Sequence, residues 1–396
     1  MDPDAPIEVP PTLLQDPGAD LLSTYWPAAI GLVLTVGALL LAIRAFRRKA
    51  GRSRARRMLG GFAWSTASAF VLVIALAFGV NTWVGYFPSM PTLQRWIDDK
   101  VHGPITDFPK TAVTAPTDAT QAGAAADTAA GAARVTTDSR GYPFLAAVPS
   151  TASMVPSTGA WVYLPPGYDK PGNTDRYPVI YVLHGAPGSA ADWFAGGRID
   201  YLLDTLIDSG SIPPAIVVSP DLNAGSDRVD GEPLDIPGGP QIETFVTNDV
   251  VKWADANFRT QADAGHRIVA GMSAGGLGSL IYGLHHPDIF GAVVSLLPYA
   301  NPYTPAVTAD PDAMQRNSPL AVIASRGGAT SQKIFLGQGD QEPTVDATQI
   351  RDALRAQGQT TTLRVLPGLG HSWTAARTIM PYGLVWAFSE LGWQKH

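Results

Sequence analysis

The chain has 396 residues, 45% of them hydrophobic, with a formal net charge of −6 and no cysteine. The missing cysteine excludes disulfides and thiolate metal sites, the mild acidity argues against a nucleic-acid partner, and the length allows two or three domains. A mean hydropathy of +0.06 is high for a wholly soluble protein, and the excess is concentrated near the N-terminus.

Residues 1–20 form an acidic tail with Asp2, Asp4, Glu8, Asp16 and Asp20 and no Lys or Arg. Residues 21–43, Leu21 to Ile43, then run without a charge. At 1.5 Å per residue this stretch is long enough to cross a hydrocarbon core of roughly 30 Å. A second uncharged stretch, assigned to 61–84, is most apolar from Phe62 to Val84. The segment 44–60 between them carries Arg44, Arg47, Arg48, Lys49, Arg52, Arg54, Arg56 and Arg57 and no acid. Two buried helices of a soluble core would also be apolar, but a cationic loop between two such runs is the positive-inside pattern. It predicts a multi-pass membrane protein with the loop cytoplasmic and both ends of the chain outside. Trp26, Trp64, Trp83 and Tyr86 stand near the expected ends of the spans, where interfacial aromatics are favoured. Cleaved signal peptides begin with a basic region, so the acidic start predicts no cleavage. Taking the eight cations of the loop out of the total leaves −14 for the rest of the chain. A part so acidic is not expected to dock on anionic lipid through a basic surface.

Residues 85–109 form a juxtamembrane segment. Within it Leu93, Trp96, Ile97 and Val101 recur at helical spacing, so 91–102 is expected to be a short amphipathic helix, for packing or for the membrane surface. Residues 110–140 follow, rich in Ala, Thr, Gly and Asp and poor in large apolar side chains. Such a composition cannot repay the entropy of folding and predicts a flexible tether.

From 141 to 396 short apolar runs alternate with helical patterns. Strands are expected at Ala160–Leu164, Pro178–His184, Ala215–Ser219, the run up to Gly271, Phe290–Leu297, Lys333–Gly337 and Thr361–Leu366. Helices are expected at Ile199–Asp208, Gln241–Asn257, after Ser273 as far as His285-His286-Pro287, Val345–Gln357 and Trp373–Glu390. This alternation predicts an α/β fold with a mostly parallel sheet covered on both faces. Ligands then bind at the carboxyl ends of the strands.

Gly271-Met-Ser273-Ala-Gly275 has the form of a nucleophile elbow, in which a tight strand-to-helix turn lifts the serine clear. In such folds the acid and the base follow the serine in that order. Of the later histidines, His285 and His286 end a helix, His396 ends the chain, and His371 lies in a Gly-rich loop after the last strand. His371 is therefore the expected base. Asp340, on the turn after Lys333–Gly337, is the expected acid, with Glu342 and Asp346 as rivals nearby. The oxyanion donors should be the backbone N–H groups of Ala274 and, in the loop His184–Gly188, of Ala186, since Pro187 has none. Trp193, Trp373 and His184 are candidates to line the pocket, against core or turn-stabilising roles for Trp193 and His184. The loops Asp221–Gln241 and Pro298–Lys333 are expected to shape specificity. The first carries Asn223, Asp227, Arg228, Asp230, Glu232 and Asp235, which would either grip a polar group or simply be solvated.

Residues 140–396 resemble the esterase D/enterochelin-esterase-like group of α/β-hydrolases, to which mycolyltransferases of the antigen 85 type are related. The resemblance rests on Val162-Tyr-Leu-Pro-Pro-Gly-Tyr168, Tyr177 to Gly185, Gly271 to Gly275, His286-Pro-Asp-Ile-Phe-Gly291, the turn at Asp340 and His371-Ser-Trp373. It implies Ser273, Asp340 and His371 as nucleophile, acid and base, with no cofactor or metal. Members act on siderophore esters, feruloyl and acetyl sugars, formylglutathione or lipids. Two N-terminal spans are not part of that pattern. Together these readings predict a membrane-anchored serine esterase working outside the cytoplasmic membrane, on a lipid head-group ester such as an aminoacyl phospholipid or on an acylated envelope glycan. Acyl transfer of the mycolyltransferase type and a non-catalytic binding module are the alternatives.

Overall fold

A computed structural model describes residues 6–14, 20–47, 54–102, 137, 139–225 and 231–393. Most of the expected tether lies outside the described residues, as do Asp227, Arg228, Asp230 and His396. The chain divides into two compact units, one formed chiefly by residues 15–98 and the other chiefly by 99–396.

A single helical turn, α1 (Pro11–Leu14), precedes α2 (Trp26–Arg47), α3 (Arg54–Val84) and α4 (Met90–His102). α2 runs one turn past the apolar stretch, because Arg44 and Arg47 are good helix formers at an end where the helix dipole favours cations. α2 and α3 pack through small residues. A Cβ on Gly31 would come within 2.6 Å of the Ala75 Cβ, so only glycine permits that approach. Polar groups tie the same seam: the Ser68 hydroxyl donates to the Thr35 carbonyl at 3.0 Å, and that of Thr82 to the Thr24 carbonyl at 3.1 Å. The outward faces are apolar and exposed, including Val33, Phe70 and Val73. Both helices are long and apolar enough to cross a membrane, and only 11% of the most apolar stretch of each is buried. The groove along this pair, lined by Leu34, Leu41, Arg44, Trp64 and Val71, holds none of the expected catalytic groups. α4 covers the expected amphipathic segment, with one extra residue at its start.

The second unit is built on an eight-stranded sheet of order β1-β2-β4-β3-β5-β6-β7-β8. The strands are β1 (Tyr142–Val148), β2 (Thr158–Leu164), β3 (Val179–Leu183), β4 (Ile216–Pro220), β5 (Arg267–Met272), β6 (Ala292–Leu296), β7 (Lys333–Gly339) and β8 (Thr361–Leu366). β2 is antiparallel to both neighbours, and β4 to β8 and β3 run parallel. β3, β4, β5 and β6 are buried along their whole length, which is why they read as continuous apolar runs rather than alternations. This is the expected α/β-hydrolase arrangement.

The helices are α5 (Asp192–Ala195), α6 (Ile199–Asp208), α7 (Ile242–Thr244), α8 (Val251–Asn257), α9 (Ala274–His285), α10 (Pro305–Thr308), α11 (Pro311–Asn317), α12 (Pro319–Ser325), α13 (Val345–Ala356) and α14 (Trp373–Glu390). Two segments depart from the sequence reading. The single helix expected over Gln241–Asn257 is interrupted by a π-helical stretch, Phe245–Val250. The segment 298–333, read as a loop, contains α10, α11 and α12. Pro305, Pro311 and Pro319 each sit at a helix start, where the missing N–H costs nothing.

Candidate active site

β5 ends at Met272 and α9 begins at Ala274, so one residue makes the whole turn. Ser273 adopts φ 56° and ψ −121°, a conformation that costs a non-glycine residue of order 1–3 kcal/mol. The backbone on either side leaves no room for side chains. A Cβ on Gly271 would lie 2.1 Å from the Gly275 oxygen, and one on Gly275 would lie 2.2 Å from the Leu183 oxygen. The Ser273 N–H donates to Leu296 O at 3.0 Å, and its carbonyl accepts the Leu277 N–H at 2.9 Å. The turn is thereby fixed both to β6 and to its own helix.

The loop after β3 lies against the serine: a Cβ on Gly185 would fall 3.4 Å from the Ser273 Cβ and 4.0 Å from its Oγ. Ala186 is half-buried in that loop, and Ala274 is buried at the first position of α9. His184 and Trp193, considered for the pocket wall, are instead buried beneath it. The Trp193 indole N–H donates to Leu183 O at 2.9 Å, and the ring is fully buried. His184 Nδ1 meets the Gly185 carbonyl at 2.8 Å, while its Nε2 receives the Leu222 N–H at 3.1 Å. A carbonyl only accepts and an N–H only donates, so the ring is neutral with its proton on Nδ1. Burial pushes its pKa down, against the smaller upward pull of the Gly185 carbonyl and of Asp192 and Asp221. The Asn223 amide holds Gly188 O at 2.7 Å, and Asp192 accepts both the N–H and the hydroxyl of Ser189. These bonds brace the loop that would carry an oxyanion donor.

His371 lies on the segment after β8, with its side chain exposed. Its Nδ1 stands 3.0 Å from Glu342 Oε2. The expected acid, Asp340, is engaged elsewhere. Its Oδ1 accepts the Gly368 N–H at 2.7 Å and the Gln341 amide at 3.0 Å, and its own N–H donates to Leu366 O. Asp346 accepts the Ala300 N–H at 2.9 Å. The imidazole partner is thus Glu342, while Asp340 fastens the loop leading to the histidine. Among the described residues Ser273 Oγ makes no hydrogen bond to His371. Trp373 opens α14 two positions beyond His371.

The two loops expected to shape specificity are joined by a residue that sequence reasoning counted only as loop charge. Glu232 is buried and accepts the Tyr299 hydroxyl at 2.8 Å, the Tyr303 N–H at 3.0 Å and the Thr304 N–H at 2.8 Å. Asp235, also on the first loop, accepts the N–H and the hydroxyl of Thr244, the last residue of α7.

His285 and His286 end α9, as expected, and both meet Glu243 of α7. Burial alone would raise the Glu243 carboxyl, but the hydrogen bonds from both imidazoles outweigh it and hold the pKa at about 2.

Comparison with known proteins agrees with this architecture. Residues 151–378 match the family described as "Putative esterase". An endo-1,4-beta-xylanase/feruloyl esterase of Xylanibacter ruminicola is 30% identical over 224 residues, which cover 54% of this chain and 27% of that protein. An esterase of Mycobacterium tuberculosis is 36% identical over 138 residues, covering 35% of this chain and 28% of that one. The chain therefore spans little more than a quarter of the length of these two curated relatives. Among solved structures, a ferulic acid esterase superposes with a TM-score of 0.56 at 24% identity, covering 64% of this chain and 99% of that one. An S-formylglutathione hydrolase from Agrobacterium tumefaciens gives 0.54 at 20% identity, with 66% and 99% covered.

Proposed function

This chain belongs to the esterase family that its residues 151–378 match, and on that premise we propose that it is a serine hydrolase of carboxylic esters. The observation that carries the proposal is the strained turn at Ser273, held in a conformation that costs stability and presents a hydroxyl at the carboxyl end of β5. In the proposed reaction Ser273 Oγ attacks the ester carbonyl while His371 Nε2 takes its proton. Glu342, already against Nδ1, fixes the ring and stabilises the imidazolium that forms. Backbone N–H groups of Ala186 and Ala274 hold the oxyanion. Collapse of the tetrahedral intermediate breaks the C–O bond to the leaving alcohol, which receives the proton from His371. Water then repeats the sequence at the acyl-enzyme and releases the acid. This scheme requires His371 to come within hydrogen-bond reach of Ser273 in the substrate complex, a tightening common to serine enzymes. Gly368 and Gly370 lie in the loop just before His371, and Gly368 has φ 73°.

The two apolar helices support a membrane anchor. Their outward faces are exposed rather than packed as a soluble core would require. The cationic segment between them favours a cytoplasmic loop and an enzyme outside, acting on a lipid or envelope ester. Reaction of the purified full chain with a fluorophosphonate probe tests the chemistry: labelling is expected in the unaltered protein and absent from Ser273→Ala. Equal labelling of the two would end the serine-hydrolase reading.

A further inference from the structure

α9 carries the nucleophile turn at one end and two histidines at the other. At that far end His285 Nδ1 lies 2.7 Å and His286 Nε2 3.0 Å from one and the same oxygen, Glu243 Oε1. All three ligand atoms fall within 4.8 Å of one another. We propose that Glu243, His285 and His286 form a binding site for a divalent transition-metal ion of the zinc class, apart from the serine chemistry.

Three further features favour a cation there. First, His285 Nε2 meets the Arg316 carbonyl at 3.0 Å. A carbonyl only accepts, so Nε2 keeps its proton, and a metal that displaces the Nδ1 proton now shared with Glu243 meets the Nδ1 lone pair. A backbone carbonyl behind a ligating imidazole is the usual outer support of such sites. Second, His285 is the last residue of a 12-residue helix and His286 its C-cap, where the helix dipole attracts positive charge. Third, Glu243 is buried while the two imidazoles are only about a quarter and a third exposed. The carboxylate is therefore fixed, and the rings can shift. Zinc–ligand bonds of roughly 2.0–2.2 Å in tetrahedral geometry separate neighbouring ligand atoms by about 3.3 Å. The two nitrogen–oxygen separations need to open by roughly 0.3–0.6 Å, and the two nitrogens, within 4.8 Å of each other, need to settle at the same spacing. Two imidazole nitrogens and one carboxylate oxygen suit zinc, copper or nickel rather than calcium or magnesium. Three protein ligands leave a position for water at the exposed side. The ion would fasten α7 to the end of α9.

The test uses the full chain, purified in detergent without a histidine tag and stripped with a chelator. Titration with Zn²⁺ alone is expected to bind one equivalent and to raise the thermal midpoint by several degrees. X-ray absorption at substoichiometric zinc should find two imidazole nitrogens on the metal. His285→Ala and His286→Ala should each weaken binding by at least about tenfold, the lower bound seen for disturbing a metal's supporting groups, whereas Ser273→Ala should bind as the unaltered chain does. Absence of stoichiometric binding, or unchanged binding in the double variant of both histidines, overturns the site. Circular dichroism checks that the variants fold. If they do not, the absorption spectrum of the unaltered chain decides, and fewer than two imidazoles on the zinc overturns the proposal.

Discussion

Glu342, not Asp340, holds the imidazole of His371: its Oε2 is 3.0 Å from Nδ1, while the Asp340 carboxylate is occupied by the Gly368 N–H. Two carboxylates two residues apart thus have separable tasks. Glu342→Gln should lower kcat about 10²–10³-fold with KM little changed, less than the loss known for a deeply buried acid because this pair is partly exposed. Asp340→Asn keeps an acceptor for Gly368 and should cost about tenfold or less. Steady-state kinetics on a p-nitrophenyl ester distinguishes the two, and a larger loss for Asp340→Asn would reverse the assignment.

Strain at the elbow predicts a stability difference between two inactive variants. Ser273→Ala keeps a Cβ at φ 56°, whereas Ser273→Gly does not. Glycine relieves the strained backbone and gives back part of that gain as flexibility of the unfolded chain. Ser273→Gly should be about 1 kcal/mol more stable than Ser273→Ala. Urea unfolding of both variants measures this, and equal midpoints would refute it.

Gly275 makes the opposite prediction. A methyl group there meets the Leu183 and His184 carbonyl oxygens at 2.2 and 2.6 Å. Those atoms are backbone and cannot swing aside. Gly275→Ala should cost at least about 1–3 kcal/mol, the usual range for overpacking, and should abolish probe labelling. A variant with unaltered thermal midpoint and labelling would show that the turn has more room.

His184 predicts a pH effect on stability. Its folded pKa is depressed by burial, so below about pH 6.5 the unfolded chain takes up a proton that the native ring refuses. Its contribution is complete above that pH and is lost as pH falls toward the depressed folded value. For a single proton the slope over that interval cannot exceed about 1.4 kcal/mol per pH unit. Unfolding measured between pH 7.5 and 5 should show this component, and His184→Gln should lack it. Equal slopes in the two proteins would mean that the ring titrates alike in both states.

Glu232 predicts a stability loss coupled to substrate binding. Glu232→Ala strips acceptors from the Tyr303 and Thr304 N–H groups and the Tyr299 hydroxyl. Each buried donor left unpaired costs about 1–3 kcal/mol. A loss of about 3 kcal/mol, with KM raised more than kcat is lowered, is the expected result. A KM unaffected in a destabilised variant would place the joined loops away from the substrate.

Much of this was legible in the sequence because it depends on neighbours along the chain. Ile199–Asp208, Thr361–Leu366 and Trp373–Glu390 have the bounds that periodicity gives them, and the elbow follows from glycines two residues either side of a serine. What stayed hidden depends on contacts across the fold. Asp340 and Glu342 occupy one turn, and only the path of the 367–370 loop decides which of them meets an imidazole. His184 and Trp193 read equally well as pocket or core until β3 and its loop are folded around them. Glu232 looked like one of several loop charges because its partners lie about seventy residues further on. The helix starts at Pro305, Pro311 and Pro319 were obscured because proline reads first as a breaker.

The π-helical stretch at Phe245–Val250 also acts as a phase shift. It fits one residue more into its length than an α-helix would, and a single residue turns a helix by about 100°. Deleting one residue there would leave Val251–Asn257 seated against its neighbours but rotate Ile242–Thr244, swinging the Glu243 carboxylate away from His285 and His286. The meeting of that carboxylate with two imidazoles thus depends on chain length in the neighbouring π-helical stretch as well as on the identities of the three residues that meet.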